Sequence, residues 1–449
     1  MHLHILGLSG TFMSALALLA RDAGYKVTGS DAHCYPPVSH LLESKGISWV
    51  EGYEDATLAL EADLVIVGNA IKRGMPVLEA VMNARKQYTS GPQWLAEHIL
   101  SRYKVIAISG THGKTTTTSM TAWILECAGF KPGFLIGGVA SNFKTSACLG
   151  KGEWFVIEAD EYDSAFFDKR PKFMHYRPEI AVLNNLEFDH ADIYENLEAI
   201  QQQFHYFLRT IPANGLAIKP KEDQALNEVV ARGVYSDLES LGFSAEDTWS
   251  AEVLNDSGSS FKVLHYGKEV ACVNWSLIGL FNIENALSAI AASAKAGVSP
   301  EIAARALEQF IPVKRRLEIK SNSNNITVYD DFAHHPTAIA KTLMALKQSM
   351  RHQRIFVIME FASYTMRTGV HAQAMPQALV NATHTFILKP QDFDPLEAQN
   401  YWSFPHTILN TTGDIVEQVA HLAQPGDAVL VMSNRGFNGI HDQLTKALG

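Results

Sequence analysis

The segment with the clearest chemical content is Val105–Thr118, which reads VIAISGTHGKTTTT. An apolar run ends at Ser109, a short glycine turn carries one lysine, and a threonine-rich and then apolar segment continues to Gly129. This order predicts a strand, a phosphate-binding loop and a helix. The backbone N–H groups of such a loop and the positive end of its helix would face an anion. The chemistry indicated is the binding of a nucleoside triphosphate.

Each residue of this loop has its own expected contact. Lys114 would bind the terminal phosphates, and the hydroxyl of Thr115 would bind Mg²⁺. The loop is shorter than the full G-x-x-x-x-G-K-[ST] pattern because Ile108 stands where the first glycine belongs. An ordinary glycine turn with an exposed lysine is the alternative interpretation. The remaining residues expected to contact the nucleotide are Gly110, Thr111, His112, Gly113 and Thr116.

Two further apolar runs end in residues that bind metals. The run Trp154–Asp160 would place Glu158 at the carboxyl end of a strand, where an acid binds the Mg²⁺ of a nucleotide. The run Ile180–His190 would place His190 at a second such end, as a ligand of a second Mg²⁺. A solvated acidic loop after Glu158 and a structural histidine at His190 are the alternatives.

Several polar residues further along the chain are candidates for the rest of the nucleotide. Asn282 and Asn285 lie three apart on one face of a predicted helix and would read the adenine edge, unless they cap the helix or face solvent. Arg316 would neutralise charge on the transferring phosphoryl group, unless its basic run is a solvated surface. Asp331 is predicted to bind the ribose. The two histidines that follow in YDDFAHHP, of which His335 is the second, suggest a metal site but have no third ligand adjacent in sequence.

The N-terminus carries a weaker nucleotide signal. The strand Leu3–Leu8 turns through glycines into a helix, and an acid follows a second strand, as in a dinucleotide-binding fold. The fingerprint is incomplete because two expected glycines are replaced, by Ser9 and by Met13. A nicotinamide dinucleotide, a generic strand-helix turn and a UDP-sugar all remain open. The candidate contacts are Gly7, Ser9, Gly10, Asp31 and, at the end of another strand, Asn69.

The elements that must position these residues indicate an α/β protein of three domains. A chain of 449 residues with 47% hydrophobic residues is too long for a single core. Residues 1–102 are predicted to form a Rossmann-like N-terminal domain, for which a UDP-sugar is one of the open ligands, and residues 103–313 a central P-loop ATPase domain with a parallel sheet. Residues 213–275 would add a small satellite sheet to that domain. Residues 314–449 are predicted to form a C-terminal Rossmann-like domain that closes over substrate and nucleotide.

The composition of the chain limits the kinds of partner that the protein is expected to bind. A net charge of −10, with no basic run suited to a polyanion, argues against nucleic acid. Four scattered cysteines predict reduced thiols in a cytoplasmic protein. The early apolar run Phe12–Ala20 is too short to cross a bilayer, so no membrane partner is expected.

Several of these motifs together resemble the Mur ligases, which form amide bonds in peptidoglycan synthesis. The motifs are GTHGKTTT, EADEYDSAFFDKR, NNLEFDHADIY, NIENALSAIAA, KRRLE, YDDFAHHPTAI and SNRGFNGIHDQL. Within the family, EYDSAFFDKR, LEFDHADI and the early GLSGTFM with YPP are most similar to the branch that recycles a cell-wall tripeptide. The branch that adds L-alanine is the alternative.

The resemblance implies an ATP-dependent carbon–nitrogen ligase with Mg²⁺ that releases ADP and phosphate. The lactyl carboxylate of UDP-N-acetylmuramate would be phosphorylated to an acyl phosphate. The amine of the tripeptide L-alanyl-γ-D-glutamyl-meso-diaminopimelate would then attack it. Catalysis would rest on Lys114, Glu158, His190 and Arg316, with Gly7, Ser9, Gly10, Asp31, Asn69, His335 and Arg367 as substrate contacts. A cytoplasmic monomer or weak homodimer is expected.

Three positions depart from the family pattern. Phe281 stands where relatives have histidine, and Ala362 stands where they tend to have arginine. Arg367 is therefore the hypothesised ligand of the peptide carboxylate. Gln201 to His205 reads QQQFH, which lacks the lysine that other members carbamylate.

Two functions of other classes remain as hypotheses. An NTP-driven switch or motor would hydrolyse nucleotide without depending on a UDP-sugar. A nicotinamide oxidoreductase would rest on the N-terminal turn alone.

Overall fold

A computed structural model describes residues 1–35, 38–389 and 402–449, and each of its three domains is built on a parallel or mixed sheet. Pro36 and Pro37 of the YPP motif lie outside the described residues. Within the described ranges, every helix is too short or too polar to cross a bilayer. The α/β class predicted from the sequence is confirmed.

The N-terminal domain is a five-stranded parallel sheet in the order β3-β2-β1-β4-β5. The first helix is buried along Met13–Ala20, because its run of leucines and alanines offers apolar residues on every face. The elements are β1 His2–Leu6, α1 Thr11–Asp22, β2 Lys26–Asp31, α2 Val38–Ser44, β3 Ser48–Glu51, α3 Thr57–Glu61, β4 Leu64–Val67, α4 Pro76–Asn83, β5 Tyr88–Ser90 and α5 Gly91–His98.

The first half of the central domain holds the strand and helix predicted around the phosphate loop. The predicted strands at Val105, Trp154 and Ile180 are neighbours in one sheet, so their carboxyl ends meet at one edge. The elements are β6 Lys104–Ser109, α6 Lys114–Cys127, β7 Gly133–Ala140, β8 Thr145–Cys148, β9 Trp154–Glu158, β10 Asp163–Ala165, β11 Asp168–Pro171 and β12 Ile180–Leu183.

The second half of the central domain corrects one expectation. The strands expected to form a satellite sheet over 213–275 instead extend the central sheet, which has ten strands in the order β17-β16-β15-β14-β13-β12-β6-β9-β7-β8. The small separate sheet is the hairpin of β10 and β11. The elements are α7 Leu197–Leu208, β13 Leu216–Pro220, α8 Gln224–Ala231, β14 Asp237–Gly242, β15 Trp249–Val253, β16 Ser260–His265, β17 Lys268–Asn274, α9 Leu280–Lys295 and α10 Pro300–Glu308.

The C-terminal domain is a six-stranded sheet in the order β18-β19-β23-β20-β21-β22, with only β18 antiparallel. Buried apolar side chains cover both of its faces. The elements are β18 Glu318–Ser323, β19 Ile326–Asp331, α11 Pro336–Gln348, β20 Ile355–Met359, α12 Tyr364–Arg367, α13 Met375–Ala378, β21 His384–Leu388, β22 His406–Leu409, α14 Thr412–Leu422, β23 Ala428–Met432 and α15 Ile440–Leu448.

The domains meet through different chemistry. The N-terminal and central domains share one apolar core, in which Leu16 and Leu19 of α1 cluster with Leu135 and Phe155 of the central sheet. The C-terminal domain meets the edge of the central sheet through several polar side-chain pairs, beside an apolar contact at Phe281. The N-terminal and central domains are therefore the more firmly joined pair.

Candidate active site

The phosphate loop is shaped by two glycines in left-handed or otherwise positive-φ backbone. Gly110 has φ +125° and Gly113 has φ +81°. A Cβ on Gly113 would lie 2.4 Å from Oδ1 of Asn285 and 3.0 Å from Nδ2 of Asn184, so only glycine fits. The loop is held from the next strand, where the Asn185 side chain accepts from the N–H of His112 at 2.7 Å. Lys114 then begins the helix, as the sequence predicts.

Lys114 lies in a ring of acids and one histidine. Its Nζ donates to Oε2 of Glu161 at 2.8 Å and to the carbonyl of Gly110 at 2.7 Å, and it lies 3.8 Å from Asp160. Nε2 of His190 lies 3.2 Å from Oε1 of the same Glu161. Glu161 is only 2% exposed, so the solvated acidic loop considered from the sequence is wrong at this residue.

Burial and charge oppose each other in this ring. Burial alone would lower the pKa of Lys114, but Glu161 and Asp160 raise it above its usual value. Burial alone would raise the pKa of Glu161, but Lys114 and the hydrogen bond with His190 lower it. Burial likewise opposes the charge on His190, while Glu161 raises its pKa. The ring is therefore a compensated set of charges that an incoming phosphate would reorganise.

Thr115, Glu158 and Arg316 form a second group of hydrogen-bonded side chains next to this ring. Thr115 donates its hydroxyl to Oε1 of Glu158 at 3.1 Å, and Arg316 reaches across from the C-terminal domain to the same hydroxyl at 3.1 Å. The other carboxylate oxygen of Glu158 accepts the N–H of Gly137 at 2.8 Å. The structure thus brings Thr115, Glu158 and Arg316 together, as the sequence predicts.

The donor set in this region fits Mg²⁺. A hydroxyl and a carboxylate oxygen, here on Thr115 and Glu158, are the hard oxygen ligands that this ion takes beside a triphosphate. His190 instead clusters with Asp160 and Glu161, whose ligand atoms all lie within 4.8 Å of one another. The assignment of His190 to a second Mg²⁺ stays a prediction.

Glu187 connects the loop to the C-terminal domain. One of its oxygens lies 2.7 Å from Nε2 of His112 and 3.3 Å from Nδ1 of His335, and the other accepts from the hydroxyl of Thr337 at 2.9 Å. His335 also caps the helix α11. The third ligand that the HHP histidines lacked in sequence therefore comes from distant segments, since His112, Glu187 and His335 bring their ligand atoms within 4.8 Å of one another, and the metal interpretation stays a prediction. Burial lowers the pKa of His335 to about 3, so its ring is neutral.

A first cleft of about 260 Å³ runs from the loop to an apolar end at Leu277 and Phe281. Asn282 and Asn285 both line it. Nδ2 of Asn282 donates to the carbonyl of Ile278 at 2.9 Å, and Oδ1 of Asn285 accepts from Thr117 at 3.1 Å. Asn285 therefore supports the loop, and its reading of an adenine edge stays a prediction, as does that of Asn282.

Asp331 lines the same cleft but has backbone partners already. Its carboxylate accepts the N–H of Leu317 at 2.7 Å and that of Ala333 at 2.8 Å. These bonds fix the segment that enters the C-terminal domain and the turn before α11. Burial raises the pKa of this carboxyl group. Ribose binding by Asp331 stays a prediction beside this structural role.

A second cleft of about 370 Å³ lies between the N-terminal and central domains, and Gly7, Gly10 and Asn69 line it. Asn69 also donates to Oδ1 of Asp163 across the domain boundary at 2.6 Å. Asp31 is the last residue of β2 rather than a residue beyond it, and its oxygens accept the N–H groups of Ser9 at 2.8 Å and His33 at 3.1 Å. Asp31 therefore fixes the glycine turn.

Some predicted residues lie outside this arrangement. Within the described ranges, the lining of the two clefts includes neither Ser9, Asp31 nor Arg367. Arg367 ends the short helix α12, whose Thr365 donates to Asp189 at 3.0 Å. Its binding of a peptide carboxylate stays a prediction. Gln201, the first residue of the QQQFH segment, is buried against α8 and donates to Glu228 at 2.8 Å.

The sequence did not assign roles to Asp160, Glu161, Lys172 or Glu187. Glu161 and Asp160 stand directly after the predicted acid Glu158, so their proximity to the strand end was a usable signal. The places of Lys172 and Glu187 depend on the hairpin and on the C-terminal domain, and no local pattern marks them.

The comparisons with known proteins agree along the whole chain. Residues 2–103 match the Mur ligase family, catalytic domain, residues 108–293 the Mur ligase middle domain, and residues 315–435 the Mur ligase, glutamate ligase domain. A UDP-N-acetylmuramate–L-alanyl-γ-D-glutamyl-meso-2,6-diaminoheptandioate ligase of Haemophilus influenzae is 48% identical over all of this chain and 99% of its own. The ligase of the same name from Escherichia coli K12 is 48% identical over all of this chain and 98% of its own.

A solved structure also shows full-length similarity to a ligase of this kind. A murein peptide ligase of Psychrobacter arcticus 273-4 is 45% identical, covers 100% of this chain and 99% of its own, and superposes with a TM-score of 0.79. By contrast, a UDP-N-acetylmuramate–L-alanine ligase of Desulforapulum autotrophicum is 34% identical over 86% of this chain and 83% of its own. The ligase that adds L-alanine is thus a more distant relative of this chain than the ligases named for the tripeptide.

Proposed function

The chain belongs to the Mur ligase family of ATP-dependent amide ligases, and we propose that it joins a murein tripeptide to UDP-N-acetylmuramate. The tripeptide is L-alanyl-γ-D-glutamyl-meso-diaminopimelate, and the acid that is activated is the lactyl carboxylate of the sugar. The ligases of H. influenzae and E. coli with this substrate in their names support the choice of peptide. A role in peptidoglycan recycling in the cytoplasm, as a monomer or weak homodimer, belongs to the same proposal.

The observation that carries the proposal is that the two clefts share a wall. Five residues line both of them: Thr115, Glu158, Asp160, Arg316 and Phe332. A triphosphate in the first cleft would end at this wall, because the phosphate loop and Lys114 lie on its near side. A sugar nucleotide in the second cleft would bring its acid to the other side. This geometry suits transfer of a phosphoryl group from one ligand to the other.

The reaction then needs position and charge more than a nucleophilic side chain. An oxygen of the carboxylate attacks the γ-phosphorus and ADP leaves, which gives an acyl phosphate. The peptide amine attacks the acyl carbon, loses a proton, and phosphate leaves. Lys114 and Arg316 would hold the negative charge that develops on the phosphoryl oxygens.

Thr115 and Glu158 would hold Mg²⁺, which supplies further neutralisation of the phosphate charge when it is bound. Asp160 and Glu161 keep Lys114 pointed at the loop before ATP binds. Arg316 and Phe332 of the C-terminal domain lie at the wall itself and would exclude water from the acyl phosphate.

The experiment is ADP release by the purified protein with ATP, Mg²⁺ and UDP-N-acetylmuramate, comparing the tripeptide with free L-alanine as the amine. We expect turnover with the tripeptide and little with L-alanine. Turnover with L-alanine alone would favour the alanine-adding reaction. ADP release that does not depend on any UDP-sugar would favour a nucleotide switch, and a change in NAD(P)H absorbance would favour an oxidoreductase.

A further inference from the structure

Lys172 is a buried cation of the second cleft that the nucleotide site does not use. It begins the 3₁₀ turn Lys172–His175 after β11, and its side chain is 14% exposed. Its ammonium group forms an ion pair with Oδ2 of Asp160. The same group lies 5.9 Å from the ring of Phe12 in α1 and 5.7 Å from the ring of Tyr162. It is therefore held between the N-terminal domain and the acids of the central domain.

The position of Asp160 relates Lys172 to the reaction centre. The other oxygen of Asp160 lies 3.8 Å from Nζ of Lys114, so a single carboxylate separates the two lysines. Lys114 faces the first cleft and Lys172 the second. The two cations thus flank the wall through which a phosphoryl group would pass.

An anionic acceptor meets an electrostatic obstacle at this wall. Glu158 and Asp160 both line the second cleft, so a carboxylate that approaches them meets like charges. Arg316 and Lys172 are the cations in the described lining of that cleft, and Arg316 already bonds to Thr115 on the nucleotide side. Lys172 is the other cation, and it contacts the wall at Asp160 from its position directly after the hairpin strand β11.

We propose that Lys172 binds the carboxylate of the acceptor and places it beside the terminal phosphate held at Lys114. This inference rests on the proposed function and assigns to it a substrate contact that the phosphate-loop and glycine-turn motifs do not mark. The acceptor carries a second anionic group, its diphosphate, which could bind Lys172 in place of the carboxylate. The link through Asp160 to Lys114 favours the carboxylate, because the group to be phosphorylated must lie next to the terminal phosphate.

The test compares two ligands that differ by the acid itself. UDP-N-acetylglucosamine carries the same diphosphate as UDP-N-acetylmuramate but has no lactyl carboxylate. Calorimetric titration of the whole protein with each ligand would be made for the wild type, Lys172→Met and Lys172→Arg. Lys151→Met removes an exposed lysine on a loop outside both clefts and is the matched control.

We expect Lys172→Met to weaken binding of UDP-N-acetylmuramate about tenfold or more, the scale of one hydrogen bond to a charged group. Binding of UDP-N-acetylglucosamine and of ATP should stay within twofold, and Lys172→Arg should recover most of the loss. Equal loss for both UDP-sugars would assign Lys172 to the diphosphate and overturn the proposal, as would unchanged binding or a parallel loss of ATP binding. Failure of the wild type to bind either UDP-sugar would overturn the proposed function as well.

Discussion

At the scale of single residues, the site is organised by side chains that serve two partners at once. Glu161 bonds to both Lys114 and His190, and Arg316 reaches the hydroxyl that also bonds to Glu158. Such shared contacts fix the rotamers of the charged groups before the ligands arrive. Preorganisation of this kind lowers the barrier because the groups need not reorient in the transition state.

Lys114→Ala is expected to lower the rate by ~10²-fold or more, the scale on which one preorganised charge stabiliser acts. The measurement is steady-state ADP release with saturating substrates. Lys104→Ala is the control, because Lys104 lies at the opposite end of β6 with a half-exposed side chain paired to Glu153. Turnover near the wild-type value in Lys114→Ala would contradict the role given to the loop.

At the scale of elements, the loop and the strand ends decide what the residues can do. The loop passes so close to Asn285 and Asn184 that Gly113 has no room for a side chain. In the N-terminal sheet, the ring of His4 lies fully buried between strands, with Nδ1 2.8 Å from the hydroxyl of Thr28 and Nε2 3.0 Å from that of Ser30. Both features have measurable consequences.

Gly113→Ala is expected to weaken ATP binding tenfold or more, since it adds a steric clash of the loop to the backbone strain. Gly129→Ala is a matched control because Gly129 has φ +83°, close to the φ +81° of Gly113, but nothing lies within 4 Å of its added Cβ. Both variants should lose on the order of 1 kcal/mol of stability from the positive φ. Equal nucleotide affinity in the two variants would show that the contact with Asn285 is unimportant.

Acid is expected to destabilise the N-terminal domain through His4. Burial and the neighbouring His2 lower the pKa of His4 from 6.5 to about 4. The imidazole of His4 therefore binds a proton below about pH 6.5 in the unfolded chain but only below about pH 4 in the folded chain. The free energy of unfolding consequently falls as the pH falls through this window. The loss between pH 7 and pH 5 is about 2 kcal/mol.

Urea unfolding at pH 7 and pH 5 would measure this effect as the difference between the wild type and His4→Gln, which cannot take up the proton. The variant should show the smaller loss of free energy of unfolding between the two pH values. The same pH dependence in both proteins would mean that other groups are responsible.

At the scale of the whole molecule, the contrast between the two domain interfaces matters most. The N-terminal domain shares an apolar core with the central domain. The C-terminal domain meets the central domain through polar bonds from Arg316, Thr337 and Thr365, beside the apolar contact at Phe281. Polar bonds between domains hold less firmly than a shared apolar core, so the C-terminal domain is the one expected to move. Its movement would close both clefts around the ligands.

We therefore expect ATP or an unreactive analogue, together with UDP-N-acetylmuramate, to decrease the radius of gyration measured by small-angle X-ray scattering. The UDP-sugar alone is the comparison, and it should give a smaller decrease, because most of its cleft lies between the two firmly joined domains and only Arg316 and Phe332 of its described lining come from the C-terminal domain. Scattering curves that coincide with and without the full set of ligands would count against closure.

The sequence by itself determined the local structure of short segments, such as strands, turns and helix starts. The strand, glycine turn and lysine at the start of α6 were predictable because turn geometry and helix start are set by neighbouring residues. The position of Glu158 and the strand Ile180–Leu183 followed in the same way from apolar runs, although that strand ends before His190, which was expected at its carboxyl end. The strands β3, β7 and β8 lacked a periodic pattern. The expected satellite sheet was in fact an extension of the central sheet, since strand pairing is a long-range choice.

Only the tertiary structure decided which of these segments meet. The ion pair of Lys172 with Asp160 requires the hairpin of β10 and β11 to fold back to the sheet edge, and the bond of Glu187 to Thr337 requires the C-terminal domain to dock. Asp31 and Asn285 were predicted to contact ligands, and only the structure shows their protein partners, the backbone N–H of Ser9 and the hydroxyl of Thr117 in α6. A contact between residues far apart in sequence leaves no local signal, because its energy depends on how whole elements pack rather than on neighbouring residue types.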